Sequence, residues 1–311
     1  MTPLNICVLG GGGFVGSHLV PLLAARGHRV VVPTRRRDRV KHLLVLPSAE
    51  VVETDIHDPA TLRSLFNGID AVINLVGILH ETRPGAFQHA HEELPRKVVT
   101  ACTANGVPRL LHMSALGADA ASKSRYQQSK AAGETLARQL PGTTVFRPSV
   151  IFGPGDSFLS MFADLLALAP VVPLAGAAAR FQPVFVGDVA GAFAAALERG
   201  ETRGQAYDLC GPKVYTLADL VRLTATTLGL CRSVLPLNDS ASYWFARLME
   251  LKPGEKIMTR DNFYAMQKDN VCPADCTPSF GIPTPLESVI GYLKEAGPRR
   301  DYTHFRASAG R

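Results

Sequence analysis

Three side chains in the first half of the chain have the types and spacing for acid–base chemistry on a carbonyl or an alcohol. Tyr126 and Lys130 lie four residues apart in the stretch YQQSK, and a helix would place both on one face. A phenol with a pKa of about 10 is a weak acid at neutral pH, and a neighbouring ammonium group would lower that pKa by stabilising the phenolate. Ser114, in the stretch HMSALG, adds a hydroxyl that could orient the same substrate oxygen. We therefore predict Ser114, Tyr126 and Lys130 as catalytic residues, with Tyr126 transferring the proton.

Two of these residues also have a simpler interpretation. Lys130 could pair with Glu134 on the surface of a helix, and Ser114 could cap the end of a strand. The Tyr-x-x-x-Lys spacing also recurs at Tyr264 and Lys268. No serine at a strand end precedes that second pair, so we interpret it as part of an ordinary helix face.

A glycine-rich stretch near the start of the chain has the form of a dinucleotide-binding loop. The sequence LGGGGFVG follows an apolar run and precedes an amphipathic stretch. Glycines permit a sharp turn and a close approach of the backbone to a pyrophosphate, and the N-terminus of the following helix attracts the anion. A tight turn without a ligand is the alternative. The residues predicted to contact the nucleotide here are Gly10, Gly11, Gly12, Gly13, Phe14, Val15 and Gly16.

Most of the net charge of +6 lies in one short segment. Residues 29–41 contain six basic residues and one acidic residue, so they account for +5 of it. A site for NAD usually has an acidic residue after the second strand, whereas a site for NADP has an arginine. We therefore predict that NADP(H) is preferred, with Arg35 and Arg36 on the 2′-phosphate, and that NAD(H) is possible. A solvated charged turn is the alternative. A nucleic-acid site is not expected, because no aromatic residues are interleaved with the charges.

Apolar runs alternate with amphipathic stretches over the first 150 residues, which indicates a doubly wound parallel sheet with helices on both faces. We predict an α/β Rossmann-type fold with a nucleotide-binding domain over residues 1–150, to which 181–199 return. Residues 151–311 are predicted to form a smaller substrate-side region. The predicted strands are 5–9, 29–32, 50–53, 71–76, 110–113 and 144–146, with a further strand at 183–186. The predicted helices are 14–26, 59–67, 88–105, 126–140 and 188–198.

Composition excludes several other classes of protein. Hydrophobic residues make up 46% of the chain and charged residues 19%, which argues against disorder. The most apolar stretch, 161–179, contains Asp164 and two prolines, so we expect a buried helix and a loop there and no membrane span. Six cysteines are too few for a disulfide scaffold, and we expect Cys7 and Cys102 to be core residues. No metal site is expected at Cys272 and Cys276.

Three histidines, His80, His89 and His91, lie close together in the sequence. His89 and His91 are two positions apart and cannot share a helical face. We expect them at a pocket rim or in a solvated loop and predict no metal site.

Taken together, these motifs resemble the extended or atypical branch of the short-chain dehydrogenase/reductase superfamily. Within that branch the chain resembles the nucleotide-binding accessory subunits of mitochondrial respiratory complex I and their bacterial relatives, over about residues 4–293. Five stretches carry this resemblance: INLVGIL (73–79), FRPSVIFGPGDSF (146–158), PVVPLAG (170–176), RFQPVFVGDVA (180–190) and MTRDNFYAMQKDNV (258–271).

The resemblance implies an NADP(H) site on a Rossmann domain, a structural role in the mitochondrial complex, and links to quinone metabolism for the bacterial relatives. Strand-end residues are expected to complete the site, with Asp55 near the adenine. Sugar-nucleotide epimerases commonly have an asparagine soon after the arginine at position 147, and this chain does not, which argues against a sugar-nucleotide substrate. The expected additional cofactor contacts are Asp55, Ile56, Val76, Gly77, Lys130 and Pro148.

Three functions follow as hypotheses. The first is an NADP(H)-dependent oxidoreductase that acts on a carbonyl or alcohol group of a small, apolar substrate, for which Phe158, Met161 and Phe162 are candidate contacts. The second is a non-catalytic NADPH-binding scaffold linked to respiratory complex I or quinone biosynthesis. The third is a sugar-nucleotide epimerase or dehydratase. No secretory signal is recognisable, so we expect a cytoplasmic protein. The resemblance to respiratory-complex subunits is compatible with peripheral association with the inner membrane, and the superfamily is compatible with a homodimer.

Overall fold

The computed structural model describes residues 2–295, except for residue 82, residues 251–257, and residues 275 and 277. The part of the predicted substrate-side region that covers 296–311 lies outside the described residues.

A seven-stranded, wholly parallel sheet forms the centre of the fold, as the sequence predicts. Its strand order is β11-β6-β5-β4-β1-β2-β3. Most of the first six strands are rich in Val, Ile or Leu, because helices cover both faces of the sheet. The order changes direction between β1 and β4, and ligands of doubly wound folds bind at such a point. The strands are β1 Asn5–Leu9, β2 Arg29–Thr34, β3 Ala49–Glu53, β4 Ala71–Asn74, β5 Leu110–Met113, β6 Thr144–Pro148 and β11 Ala206–Leu209.

Helices pack on the two faces of this sheet in two separate clusters. On one face, α1 and α7 pack together over Ile6, Val8 and Ile73. On the other face, α2 and α4 cover Cys7 and Val72. The helices of this part are α1 Phe14–Ala25, α2 Pro59–Leu65, α3 Ala86–Gln88, α4 Leu94–Asn105, α5 Arg125–Ala137 and α7 Val186–Glu198, with a 3-10 helix at Arg37–Leu43 and a π-helical turn at His89–Glu93.

A second core, separate from the two clusters on the sheet, lies beyond β6, and α6 and α8 contribute Leu159, Phe162, Leu220 and Val221 to it. Three two-stranded sheets surround it. The remaining elements are β7 Ile151–Phe152, α6 Phe158–Leu168, β8 Val171–Leu174, β9 Arg180–Phe181, β10 Val184–Phe185, β12 Tyr215–Thr216, α8 Leu217–Thr227, β13 Ser233–Pro236, α9 Asp239–Met249, α10 Arg260–Ala265, α11 Leu286–Val289 and α12 Tyr292–Glu295, with a 3-10 turn at Gly200–Thr202.

Two features of the sheet differ from the sequence-based prediction. The segment 183–186 contributes only the two residues of β10, which pair with β7 outside the main sheet. The seventh strand of the main sheet is β11, which pairs with β6 and was not predicted. Its four residues, AYDL, are all only partly buried, so they lack the continuous apolar character that marks a central strand.

Among the described residues, none of the helices combines the length and the apolar character that crossing a lipid bilayer requires. Cys7 and Cys102 are both buried in the core, as expected.

Candidate functional site

The carboxyl ends of the parallel strands bring most of the predicted site residues to one edge of the sheet. The glycine loop follows β1, Arg35 follows β2, and Ser114 follows β5. The loops after β1 and β4 are in direct contact, because a methyl group on Gly10 would lie 3.2 Å from the backbone nitrogen of Val76. The sequence-predicted nucleotide residues on these two loops therefore lie next to one another.

The glycine loop is packed too tightly to accept side chains at two of its positions. A methyl group on Gly16 would lie 2.4 Å from the carbonyl oxygen of Gly11, and one on Gly12 would lie 2.3 Å from Val40. Helix α1 begins here with Gly13 as its N-cap, and no side chain caps its first turn. The loop therefore leaves a helix N-terminus open to an anion such as a pyrophosphate.

The basic turn after β2 lies beside this loop. Arg35 and Arg36 are exposed, and the 3-10 helix that follows them contributes the Val40 contact to Gly12. A carboxylate is present next to this turn as well, since Glu53 accepts a hydrogen bond from the backbone nitrogen of Arg37 at 3.2 Å. Because Arg35 and Arg36 are exposed, their guanidinium groups are accessible to an anion bound at the end of β2.

The end of β3 carries a small aromatic platform that the sequence did not reveal. Asp55 accepts a hydrogen bond from the backbone of His57 at 3.0 Å. The ring of His57 stacks on that of His89, with 3.8 Å between their centroids. Burial lowers the pKa of His57, and the neighbouring His89 and Arg35 lower it further. Its buried Nδ1 has no hydrogen-bond partner among the described residues, which suits a base such as adenine bound here.

Lys130 and Ser114 meet at the end of β5. The Nζ of Lys130 donates a hydrogen bond of 2.7 Å to the carbonyl oxygen of Met113, the residue before Ser114. A methyl group on Gly77 would lie 3.8 Å from the same Nζ. Lys130 is 4% exposed, and burial lowers its pKa to about 8. It does not make the surface ion pair with Glu134 that was the alternative, since Arg138 and Arg147 hold that carboxylate.

The hydroxyl of Ser114 is buried, and its Oγ has no hydrogen-bond partner among the described residues. An unpaired buried hydroxyl is unfavourable unless a ligand or water satisfies it. This side chain therefore leaves a polar group available to a bound molecule next to Lys130.

Tyr126 lies on the same helix as Lys130, but its acidity differs from the sequence-based expectation. We expected the ammonium group to lower its pKa. Instead, burial and then the carboxylate of Asp261 raise the pKa of Tyr126 to about 12. The ring makes edge contacts with Phe87 and His91, at centroid distances of 5.9 and 5.7 Å. In the absence of a ligand, the phenol is therefore protonated at neutral pH.

His91 is not at a pocket rim or in a solvated loop, because it is buried behind Tyr126. Its Nε2 accepts a hydrogen bond of 3.0 Å from the backbone of Ile78, so the ring proton lies on Nδ1, which is 2.8 Å from the Oγ of Ser129. Ser129 in turn donates to the carbonyl oxygen of Tyr126. Burial, with smaller effects of Lys130 and His112, lowers the pKa of His91 to about 3. A neutral His91 thus links the loop after β4 to the helix of Tyr126.

The segment 258–271, which we call the strap, also reaches the site, although it is distant in the sequence. Its Asp261 receives hydrogen bonds from the backbone of Arg125 at 2.6 Å, from the Oγ of Ser124 at 2.9 Å and from the backbone of Tyr126 at 3.3 Å. The carboxylate therefore lies at the N-terminus of α5, where a negative charge stabilises a helix.

Asn270, near the end of the strap, connects two strand-end loops. Its Oδ1 accepts from the Oγ of Ser149 at 2.6 Å and from the backbone of Val150 at 3.2 Å, and its Nδ2 donates to the carbonyl of Leu116 at 3.0 Å. The first two residues follow β6, whereas Leu116 lies two residues after Ser114. The strap thus joins the loop that carries Ser114 to the loop that follows β6. Only its resemblance motif marked it in the sequence.

Two other motifs differ from their expected settings. Helix α10 ends at Ala265, so Tyr264 and Lys268 do not share a helix face, and Lys268 pairs with Asp119 at 3.1 Å. Cys272 forms a disulfide with Cys210, which the sequence did not predict. Within the described part of the chain, no cluster of three or more His, Cys, Asp or Glu side chains could hold a metal ion.

The apolar residues that we expected to meet a substrate belong mainly to the second core. Phe162 is buried there, and its ring packs against Phe158 at a centroid distance of 5.3 Å. Phe158 and Met161 are only partly buried. Gly155, in the loop before α6, lies close to Phe14. This region is therefore next to the glycine loop.

Comparison with known proteins supports the Rossmann-type fold. Residues 6–210 match the model of the NAD dependent epimerase/dehydratase family. A solved structure, the dTDP-glucose 4,6-dehydratase DesIV of Streptomyces venezuelae with NAD bound, superposes with a TM-score of 0.71 at 19% identity, over 97% of this chain and 98% of that one. At this level of identity the superposition establishes the fold alone.

Similar curated proteins include NADH dehydrogenase (ubiquinone) 1 alpha subcomplex subunit 9 from mitochondria. The mouse protein is 32% identical over 90% of this chain and 77% of its own length, and the Arabidopsis thaliana protein is 35% identical over 70% and 56%. The chain thus spans little more than half of the plant relative. A ceramide reductase of Caulobacter vibrioides is 33% identical over 60% of this chain and 58% of its own length. With the Rossmann sheet, the glycine loop and these matches, the chain belongs to the NAD dependent epimerase/dehydratase family.

Proposed function

We propose that this protein is an NADP(H)-dependent oxidoreductase that reduces a carbonyl group through Ser114, Tyr126 and Lys130. The observation that carries the proposal is the buried, unpaired hydroxyl of Ser114, next to a buried lysine whose Nζ is held at Met113. A purely structural serine or lysine would be expected to have all its polar groups satisfied within the protein.

The protonation state of Tyr126 favours the reductive direction. With a pKa raised to about 12 by burial and by Asp261, its hydroxyl can donate a proton to the carbonyl oxygen as negative charge develops there. Ser114 would donate a second hydrogen bond to that oxygen, and Lys130 would stabilise the resulting phenolate. When bound, NADPH supplies the hydride. The residues that would hold it are the glycine loop, Arg35 and Arg36, Asp55 and Ile56, Val76 and Gly77, Lys130 and Pro148.

Replacing Tyr126 by phenylalanine tests this proposal. The variant keeps the ring contacts with Phe87 and His91, so the fold and NADPH binding should be unchanged. It loses the only proton donor proposed for the substrate, and we expect the kcat for an identified carbonyl substrate to fall by about 100-fold or more. Unchanged turnover in Tyr126→Phe would show that the mechanism is wrong.

The preference for NADP(H) is proposed from the basic turn. Each exposed guanidinium that contacts a 2′-phosphate contributes about 1 kcal/mol or more, so Arg35→Ala/Arg36→Ala should weaken NADPH binding by about 30-fold and leave NADH binding nearly unchanged. Arg39→Ala, from the same basic segment, is the matched control. Equal affinities of the unmodified protein for NADPH and NADH, measured by fluorescence titration, would contradict the preference.

We propose an apolar ketone as the substrate class. The ceramide reductase similarity points in this direction, as do Phe158 and Met161, which are only partly buried beside the loop that contacts Phe14. A panel of ketones with increasing alkyl chain length, assayed by NADPH oxidation, should show kcat/KM rising with chain length. Preference for short polar ketones or for sugar nucleotides would contradict this assignment.

A second candidate is a nucleotide-binding scaffold at a respiratory complex, without turnover. The similarity to the mitochondrial subunits over most of the chain favours it. The scaffold function places the protein at the inner membrane surface together with protein partners. The oxidoreductase function needs only a cytoplasmic enzyme and is compatible with a homodimer. Copurification with membrane complexes, together with no NADPH oxidation across the ketone panel, would favour the scaffold.

A further inference from the structure

One covalent link lies directly beside the strap and has no role in the functions considered so far. Cys210 immediately follows β11, and Cys272 immediately follows the strap. They form a disulfide across 62 residues of chain, with their Cα atoms 6.1 Å apart. Asn270, which joins the loops after β5 and β6, is only two residues before Cys272.

A hydrogen-bonded bridge runs alongside this disulfide. The side chain of Gln182 accepts a hydrogen bond of 3.0 Å from the backbone of Cys272 and donates one of 2.8 Å to the carbonyl of Gly211, the residue after Cys210. Gln182 thus provides a second connection between the two segments, independent of the disulfide.

The two cysteines of this disulfide are not fully buried. Cys210 and Cys272 are both partly exposed, whereas Cys7 and Cys102 are buried. Burial raises the pKa of the Cys7 and Cys102 thiols well above the usual range of a cysteine. These two residues therefore form almost no reactive thiolate. Exchange chemistry is thereby confined to the cysteines near the surface.

We propose that Cys210 and Cys272 form a reversible thiol–disulfide site that exchanges with low-molecular-weight disulfides and thiols. In its oxidised form, this site clamps the strap onto the loops after β5 and β6. The effect on activity rests on the proposed function, whereas the exchange and the clamping do not. Because Asn270 binds Leu116, near Ser114, and Asp261 binds the start of α5, the clamp acts on the geometry of the same site.

The oxidation step follows ordinary thiol–disulfide exchange. The thiolate of one cysteine attacks a low-molecular-weight disulfide, which forms a mixed disulfide and releases one thiolate. The thiolate of the second cysteine then attacks the protein sulfur of that mixed disulfide and releases the other. Two electrons pass from the cysteine pair to the small disulfide, and its two thiolates take up the two protons that the cysteines lost. Reduction by two thiols reverses these steps.

The first test measures the exchange on the full-length native protein. It is equilibrated in buffers of glutathione and glutathione disulfide at varied ratios, alkylated, and analysed by mass spectrometry. Cys210 and Cys272 should pass together from two alkylated thiols to none as the buffer becomes more oxidising. Cys276→Ser, which removes an exposed cysteine nearby, should follow the same curve. A pair that stays reduced in every buffer, or that opens only in denaturant, would overturn the proposal.

The second test measures the clamp by hydrogen exchange of the backbone amides in residues 258–271. Reduction should accelerate their exchange by about tenfold, and Cys272→Ser should match the reduced protein under both conditions. If that variant does not fold, the reduced unmodified protein still provides the comparison. Equal exchange in the two redox states would overturn the clamp, even if Tyr126→Phe abolishes turnover. A redox-dependent exchange without any turnover would instead refute only the proposed enzyme function.

Discussion

Asn270 offers a direct test of whether the strap holds the site together. Its side chain makes three hydrogen bonds, to Ser149, Val150 and Leu116. Alanine removes all three. The Ser149 hydroxyl can still donate to the backbone carbonyl at position 270, at 3.2 Å, whereas the backbone groups of Val150 and Leu116 lose their partner. At about 1 kcal/mol for each bond, the free energy of unfolding should fall by about 3 kcal/mol. Because Leu116 is two residues from Ser114, kcat should fall as well.

The measurement is urea unfolding followed by fluorescence, combined with NADPH titration and steady-state kinetics. Lys268→Ala is the matched control from the same segment, because its ion pair with Asp119 is exposed on both sides. Such pairs contribute about 0.5 kcal/mol. Asn270→Asp keeps the acceptor for Ser149 and Val150 but loses the donor to Leu116, so its stability should lie between those of the unmodified protein and Asn270→Ala.

Stability of Asn270→Ala equal to that of Lys268→Ala would refute the reasoning, since it would mean that the three contacts contribute nothing. A loss of stability without any change in kcat would leave the strap as a structural element and would contradict its influence on Ser114.

Three further predictions concern the loop, the buried lysine and the disulfide. Gly16→Ala should weaken NADPH binding by about 100-fold or more, since its methyl group would collide with the Gly11 carbonyl, whereas Gly191→Ala, which has open space, should bind normally; equal Kd values would contradict this. The pKa of Lys130 is about 8 in the folded state, lowered from 10.5. The unfolded state therefore binds more protons than the folded state between about pH 8 and about pH 10.5. The stability of the unmodified protein relative to Lys130→Met, from denaturation at each pH, should therefore rise by about 3 kcal/mol across this window, and a constant difference would be inconsistent with a buried ammonium. Cys272→Ser should lower the free energy of unfolding by about 4 kcal/mol under oxidising conditions, because the disulfide closes a loop of 62 residues, and this difference should vanish with dithiothreitol.

Local patterns were sufficient to predict the strands and helices of the nucleotide-binding half. Most of the first six strands contain a short apolar run, and α2, predicted over 59–67, begins at Pro59 with Asp58 as its cap. Such signals are short-range, because a buried parallel strand needs only its own residues to be apolar. β11 was missed for the same reason, since it lies at the sheet edge and its residues are mixed in character.

The acidity of Tyr126 shows where spacing along the sequence is not sufficient. The i to i+4 relation with Lys130 predicted a lowered pKa, but burial and Asp261, which lies 135 residues further along the chain, act in the opposite direction. The burial of His91 was missed in the same way, because a π-helical turn packs it against α5 so closely that a methyl group on Gly133 would lie 2.1 Å from the His91 carbonyl oxygen.

The sequence by itself determined the parallel α/β sheet, the position of the glycine loop and the candidates Ser114, Tyr126 and Lys130. These follow from hydrophobic periodicity and from the chemistry of short motifs, which neighbouring residues express without the rest of the chain. Only the tertiary structure decided that the strap, Asp261 and Asn270 reach the same edge of the sheet, that His91 is buried there, and that Cys272 pairs with Cys210. Those contacts join residues many positions apart, and their partners depend on how separate elements pack.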